Sequence, residues 1–152
     1  MGDLGSVIVD IVAPGFTSVA ATDGAYGVGE TISITATWNE NVEVTGTPAL
    51  TLSNGQSADY ASGTGSTDLV FEYTVVEGHT DSTDLSVSSY SGTITDSAGG
   101  AAGAASGDLG AVIISANSPA FTNVTAPDDS YKSGETISIT ATWGEAVNVV
   151  DT

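Results

Sequence analysis

Gly29–Trp38 reads GETISITATW, and the same ten residues stand again at Gly134–Trp143, an offset of 105 positions. Within the first copy Ile32, Ile34, Ala36 and Trp38 alternate with Thr31, Ser33, Thr35 and Thr37. Successive side chains of an extended chain point to opposite faces, so this period of two gives one apolar and one hydroxylated face, the pattern of a half-buried strand. Asp68–Val75 alternates in the same way, with Leu69, Phe71, Tyr73 and Val75 facing in. Shorter strands are expected at Phe16–Ala21, Ala49–Leu52, Ala58–Ser62, Asp84–Val87 and Ala111–Ser115, and Asn54-Gly55 predicts a type I′ hairpin turn. No helical period competes with these signals. Short strands at this spacing predict an all-β fold, an immunoglobulin-like antiparallel β-sandwich packed around Trp38 where a disulfide would otherwise bridge the sheets.

The repeat extends outward from the decapeptide. GDLG at Gly2–Gly5 returns at Gly107–Gly110, Pro14 and Phe16 return as Pro119 and Phe121, and Glu40 returns as Glu145. Residues 2–47 and 107–152 agree at 27 of 46 positions, so tandem repeats of about 105 residues are expected. On this reading residues 1–12 are the last strand of a preceding repeat and a linker, 13–115 a complete repeat, and 116–152 a linker and the truncated first part of a second repeat. Ala98–Gly107, AGGAAGAASG, has no periodicity and reads as a loop.

Nineteen Asp and Glu face one Lys (Lys132), no Arg and one His (His79), for a formal charge of -18. Nucleic acid and anionic membranes need Lys and Arg to neutralise phosphate, so both are poor partners. No apolar stretch has the length of a membrane helix, and no membrane insertion is expected. With no cysteine in the chain, any metal must be held by oxygen, which suits calcium.

VDIVAP (Val9–Pro14), YGVGETISITATWNENVEVTGTPALTL (Tyr26–Leu52), ASGTGSTDLVFEYTV (Ala61–Val75) and TITDSAGG (Thr93–Gly100) together resemble the Ig-like repeats of giant bacterial surface adhesins, including the extender regions of type I secreted RTX adhesins. That resemblance implies a secreted, extracellular spacer at the bacterial cell surface, whose partners are neighbouring repeats of the same chain and calcium ions at the junctions. It matches Asp10, Glu40 and Asp96 to the family's acidic junction positions. Gly100 stands where the family usually has Asn, and Ser115 replaces the linker Asp at the second junction.

Strand parity points to the same residues. Successive antiparallel strands place their loops alternately at two poles, and counting strands from the linker brings Glu40 and Asp96 to the pole of Asp10. Asp23, Asp81 and Asp84 fall at the opposite pole as a second acidic group, a second candidate for calcium. Solvated acidic loops are the plain alternative for both groups, since neither an EF-hand pattern nor a glycine-rich RTX nonapeptide is present.

Catalysis by paired carboxylates lacks an Arg and an obvious groove, and no GxSxG elbow accompanies the many Ser and Thr, so no enzyme is expected. His79, in EGHTDS, reads as a solvated turn residue. The outward row Thr31, Ser33, Thr35 and Thr37 suits a carbohydrate- or ice-binding face, or simply the wet side of a strand. Trp38 and Trp143 share the inward parity and read as core. Self-association is the remaining alternative: a partial second repeat has strands without partners, and exposed edges invite strand swapping into filaments or a surface layer.

Overall fold

The computed structural model describes residues 10–147 and 149, and the strand expected in residues 1–9 lies outside them. Ten strands appear among the described residues and no helix: β1 Phe16–Ala21, β2 Gly24–Gly27, β3 Thr31–Leu52, β4 Ser57–Ser62, β5 Ser66–Thr74, β6 Ser86–Thr95, β7 Gly107–Asp108, β8 Val112–Ser115, β9 Phe121–Thr125 and β10 Thr140–Trp143. The architecture is all-β, its sheets are mainly antiparallel and consistent with a β-sandwich, and no described helix is long and apolar enough to cross a membrane. The chain divides into two compact units between Asn117 and Ser118.

In the first unit β3 is the spine. Its opening stretch pairs antiparallel with β1 on one side and β5 on the other, with Ile34 opposite both Ala21 and Phe71. Its closing stretch pairs with β6 over Glu43–Leu52 and with β4 over Ala49–Thr51. The two parts, expected as separate strands around a loop, form one strand of 22 residues that changes partners near Asn39–Val42. Asn39-Glu40-Asn41 reads as a loop because it is polar, yet its backbone stays extended: Gly15 donates its N–H to Asn39 Oδ1 at 2.8 Å, and Asn39 N–H donates to Gly15 O at 2.9 Å.

Three further expectations are corrected. β2 and β8 pair parallel, Gly24 opposite Val112 through Gly27 opposite Ser115, although no strand is expected at Gly24–Gly27. A four-residue strand this rich in glycine carries no pattern of its own; it forms because β8 returns beside it. β6 runs on to Thr95, beyond the strand expected at Asp84–Val87. The hairpin turn is not type I′, because every residue with positive φ is a glycine and Asn54 is not among them. Gly55 N–H donates to Leu52 O at 3.0 Å, which makes Ser53 and Asn54 the central pair of a type I turn, and Gly55 takes the left-handed bulge position at φ 81°. The Asn54 side chain turns inward instead, donating from Nδ2 to Tyr73 Oη at 3.2 Å and Thr80 O at 3.3 Å.

Ile32, Ile34, Ala36 and Trp38 from β3 and Leu69, Phe71, Tyr73 and Val75 on and just beyond β5 are all buried, as the alternation requires. Leu50, Val87, Ile94, Val112 and Ile114 belong to the same core, with Val19, Val42, Leu52, Leu85 and Leu109. Trp38 meets the half-buried Phe16 edge-on at 5.8 Å and Tyr90 at 6.4 Å. Its buried Nε1 has no hydrogen-bond partner, a deficit that costs about 1–3 kcal/mol. Ala98–Gly107 is not a free loop: Gly103 N–H donates to Pro14 O, Ala105 is fully buried, and a Cβ on Gly107 would stand 3.0 Å from Val19 Cγ2. The segment is built of small residues because it passes close over the core.

The second unit is a hairpin of β9 and β10. Thr140, Ala141, Thr142 and Trp143 oppose Thr125, Val124, Asn123 and Phe121. Shifted by 105 positions this is the β1–β3 register, irregularity included, since Phe16 likewise opposes Trp38 after a shift next to Ser18 and Thr37. Local detail repeats too. Gly27 N–H donates to Glu30 Oε2 at 2.7 Å as Lys132 N–H does to Glu135 Oε2 at 2.6 Å, and Phe121 meets Trp143 edge-on at 5.5 Å.

Candidate metal centre

Asp10, Glu40 and Asp96 each place one carboxylate oxygen within 4.8 Å of the others, the one such group of three or more acidic or histidine side chains among the described residues. They come from three separate parts of the first unit: the segment before β1, the bend of β3, and the turn after β6. Exposure falls from Asp10 through the half-buried Glu40 to Asp96, which is 5% exposed.

Asp96 is locked by its own turn. Oδ1 accepts the N–H groups of Ala98 at 2.7 Å and Gly100 at 2.8 Å, and Asp96 N–H donates to Gly100 O at 2.9 Å. A Cβ on Gly100 would collide with Asp96 Oδ2 and stand 3.5 Å from Ala13 Cα, so glycine at this position leaves that oxygen its place. Asp10 Oδ1 accepts Val12 N–H at 3.0 Å, which curls the segment ahead of β1.

Two like charges about 4 Å apart repel by about 1 kcal/mol in bulk water and about 4 kcal/mol at an effective dielectric near 20. The sequence has almost nothing to offset this, with one Lys and no Arg. A divalent cation would. Calcium–oxygen bonds of 2.3–2.6 Å let one ion bridge oxygens up to about 4.6–5.2 Å apart, a reach that covers this group, whereas magnesium spans only about 4.0–4.2 Å. Hard oxygen donors of mixed exposure suit the larger, more tolerant ion.

The opposite pole differs from expectation. Asp23, Asp81 and Asp84 form no second cluster of this kind among the described residues. Asp23 Oδ1 accepts Ala111 N–H at 2.9 Å, and Asp81 Oδ1 accepts Ala116 N–H at 2.7 Å. These acids tie the two residues that flank β8, Ala111 and Ala116, to the neighbouring loops. Asp84 is fixed through its backbone, whose N–H donates to Ser82 Oγ at 3.3 Å. A count of strands sorts residues by pole but cannot say which way a carboxylate turns once it arrives.

The Ala116 N–H, helped by the Asn117 side chain, holds the Asp81 carboxyl below its ordinary value of 3.8. A depressed carboxylate stabilises the fold above the unfolded value and loses that contribution as pH falls toward the folded one. Asp81→Ala is therefore expected to lower the urea midpoint at pH 7, with the gap to wild type narrowing below about pH 4. An equal gap at pH 7 and pH 3 would mean the carboxylate charge is not what holds Ala116.

His79 is half-buried rather than solvated. Its ring stacks on Tyr73 at 5.7 Å, and Nδ1 lies 2.9 Å from Tyr73 Oη and accepts Val76 N–H at 3.3 Å. Burial pushes the Tyr73 hydroxyl up, partly offset by the Asn54 bond. In the hydroxylated row, Thr31 Oγ1 pairs with Thr74 Oγ1 at 2.8 Å and Thr37 Oγ1 donates to Asp68 Oδ1 at 2.7 Å. Those two hydroxyls serve the cross-strand ladder. No protein-family model, curated protein or solved structure matches the chain.

Proposed function

We propose that the chain is a non-catalytic structural spacer from a secreted bacterial surface adhesin, built of immunoglobulin-like repeats of about 105 residues and stiffened by calcium where one repeat meets the next. The observation that carries this reading is the meeting of Asp10, Glu40 and Asp96 within 4.8 Å, in a chain with one Lys and no Arg. Asp10 belongs to the incoming segment, whereas Glu40 and Asp96 belong to the body of the unit. A cation shared among them would convert repulsion into a tie and fix the angle at which the segment arrives.

Glu40 lies beyond Thr37, which pairs with Asp68 and closes the continuous β3–β5 register, while Ala116 is held by Gly78 and Asp81 in the loop beyond Thr74, which pairs with Thr31. The chain thus comes in at one end of the β3–β5 pair and goes out at the other, about 20–24 Å away for seven extended residues.

Calorimetric titration tests the site. Calcium is expected to bind the wild-type chain with an affinity in or above the range of extracellular modules, about 10⁻⁴–10⁻³ M. The heat should vanish in a Glu40→Gln, Asp96→Asn double variant. Absence of heat up to about 10 mM calcium, or equal heat in the double variant, would remove calcium from these residues.

A further inference from the structure

Asn54 is the one asparagine of the chain that precedes a glycine. The backbone nitrogen after an asparagine can attack the side-chain amide, and a glycine, with no Cβ in the way, brings that nitrogen closest. The fold holds both reacting groups out of position. Asn54 is 9% exposed, and its side chain turns inward: Nδ2 donates to Tyr73 Oη at 3.2 Å and Thr80 O at 3.3 Å, while Oδ1 accepts Gln56 N–H at 3.2 Å. His79 Nδ1 accepts Val76 N–H, so Tyr73 directs its own proton to that nitrogen, 2.9 Å away, and keeps a lone pair for Asn54. On the backbone side, the Gly55 N–H that the attack must give up is bonded to Leu52 O at 3.0 Å. The amide also anchors its surroundings. Thr80 lies in the loop between β5 and β6, and that loop holds the segment leading to the unit boundary. Gly78 N–H donates to Ala116 O at 3.0 Å, Asp81 Oδ1 accepts Ala116 N–H at 2.7 Å, and Ser82 and Ile114 exchange both backbone bonds.

We infer that Asn54 is a site of spontaneous covalent modification, reached only when the turn between β3 and β4 opens, and that its conversion releases the hold on Ala116. In the open turn the Gly55 nitrogen attacks Asn54 Cγ. The new C–N bond closes a succinimide ring, the Cγ–Nδ2 bond breaks, and ammonia leaves with the hydrogen that Gly55 gave up. Water, the other reactant, then adds to either ring carbonyl. Cleavage at Cγ restores the chain with aspartate at position 54, and cleavage at the main-chain carbonyl leaves isoaspartate, whose backbone runs through the former side chain. Nothing is oxidised or reduced. Both products undo the anchor. A carboxylate has no hydrogen to donate, so Thr80 O and Tyr73 Oη lose their donor, and a negative charge faces the Thr80 carbonyl oxygen. Isoaspartate also lengthens the turn by a methylene, against the Leu52–Gly55 bond. Loss of ammonia makes the change permanent. Brief openings of the turn therefore accumulate as a lasting release of the loop that grips Ala116.

The test incubates the full chain at mildly alkaline pH, folded in buffer and unfolded in urea, and follows residue 54 by peptide mass spectrometry with separation of aspartate from isoaspartate. Conversion in the folded chain is expected to be about tenfold or more slower than in urea, because it waits on a local opening. Tyr73→Phe keeps the ring but removes one acceptor of Nδ2, and should speed the folded-state reaction about threefold or more while leaving the urea rate unchanged. Asn54→Asp makes the ordinary product directly. In that variant amide hydrogen exchange should quicken about tenfold at Gly78 and Ala116 and stay unchanged at Ile34, in the core. Absence of conversion in urea would remove the site, and equal rates in the two states would remove its dependence on opening. Exchange at Gly78 and Ala116 that stays as in wild type, or that quickens no more than at Ile34, would remove the anchor.

Discussion

Ile34→Ala is expected to lower the thermal midpoint of the first unit by about 10–40 °C, while Ile139→Ala, the same substitution in the same decapeptide, costs the second unit no more than about 0.5 kcal/mol. Ile34 is fully buried between β1 and β5, and truncating such a residue removes its transfer free energy and leaves a cavity, together about 2–5 kcal/mol. In a domain near 100 residues each kcal/mol shifts the midpoint by about 4–8 °C. Ile139 is 66% exposed and forfeits little, within the roughly 0.5 kcal/mol typical of surface changes. Calorimetric unfolding of the two variants side by side measures this directly. Equal losses would show that Ile139 is packed as its counterpart is, and would leave no open face to explain.

Calcium at about 10 mM is expected to raise the midpoint of the wild-type chain by about 10 °C, and sodium chloride of equal ionic strength by far less. A ligand bound only by the folded state stabilises it by about 2.7 kcal/mol at one hundred times its dissociation constant. Sodium acts by screening alone, which in a chain of charge -18 gives a general, shallow rise shared by every variant. The Glu40→Gln, Asp96→Asn variant separates the two effects. Without cation it should melt at or slightly above the wild-type midpoint, because two of three repelling charges are gone. With calcium it should gain only what sodium provides. Equal shifts from both salts in the wild type would reduce the cluster to a solvated acidic surface.

Much of the first unit was legible in the sequence because alternation is a local property that burial merely reveals. Leu69, Phe71, Tyr73 and Val75 face in, as do Ile32, Ile34, Ala36 and Trp38. The grouping of Asp10, Glu40 and Asp96 was legible as well, since parity depends only on how many reversals intervene, and β3 still reverses within its length: its opening stretch is antiparallel to β5, β5 to β4, and β4 to its closing stretch. What escaped depends on partners distant in the chain. The β2–β8 pair joins residues nearly ninety positions apart in a glycine-rich stretch with no pattern, as in Gly24 opposite Val112. The turn type at Asn54 was settled by Tyr73 and Thr80, which draw its side chain inward. Asp81 was placed at the correct end but given the wrong neighbours, because a hydrogen bond to Ala116 N–H is decided over an ångström or two and not by pole.

The decapeptide GETISITATW separates the two kinds of information. By itself the sequence determined an extended, amphipathic segment, its pairing with the preceding strand in one register, its irregularity beside Trp38 or Trp143, and its edge-on aromatic pair, all of which recur in both copies. Only the tertiary structure decided whether the apolar face is core. Ile34 and Ile139 have the same neighbours in sequence, yet one is fully buried and the other 66% exposed. The reason is that strand pairing needs one partner close along the chain, whereas burial needs a second, which for Ile34 is β5, beginning almost thirty residues after Thr37.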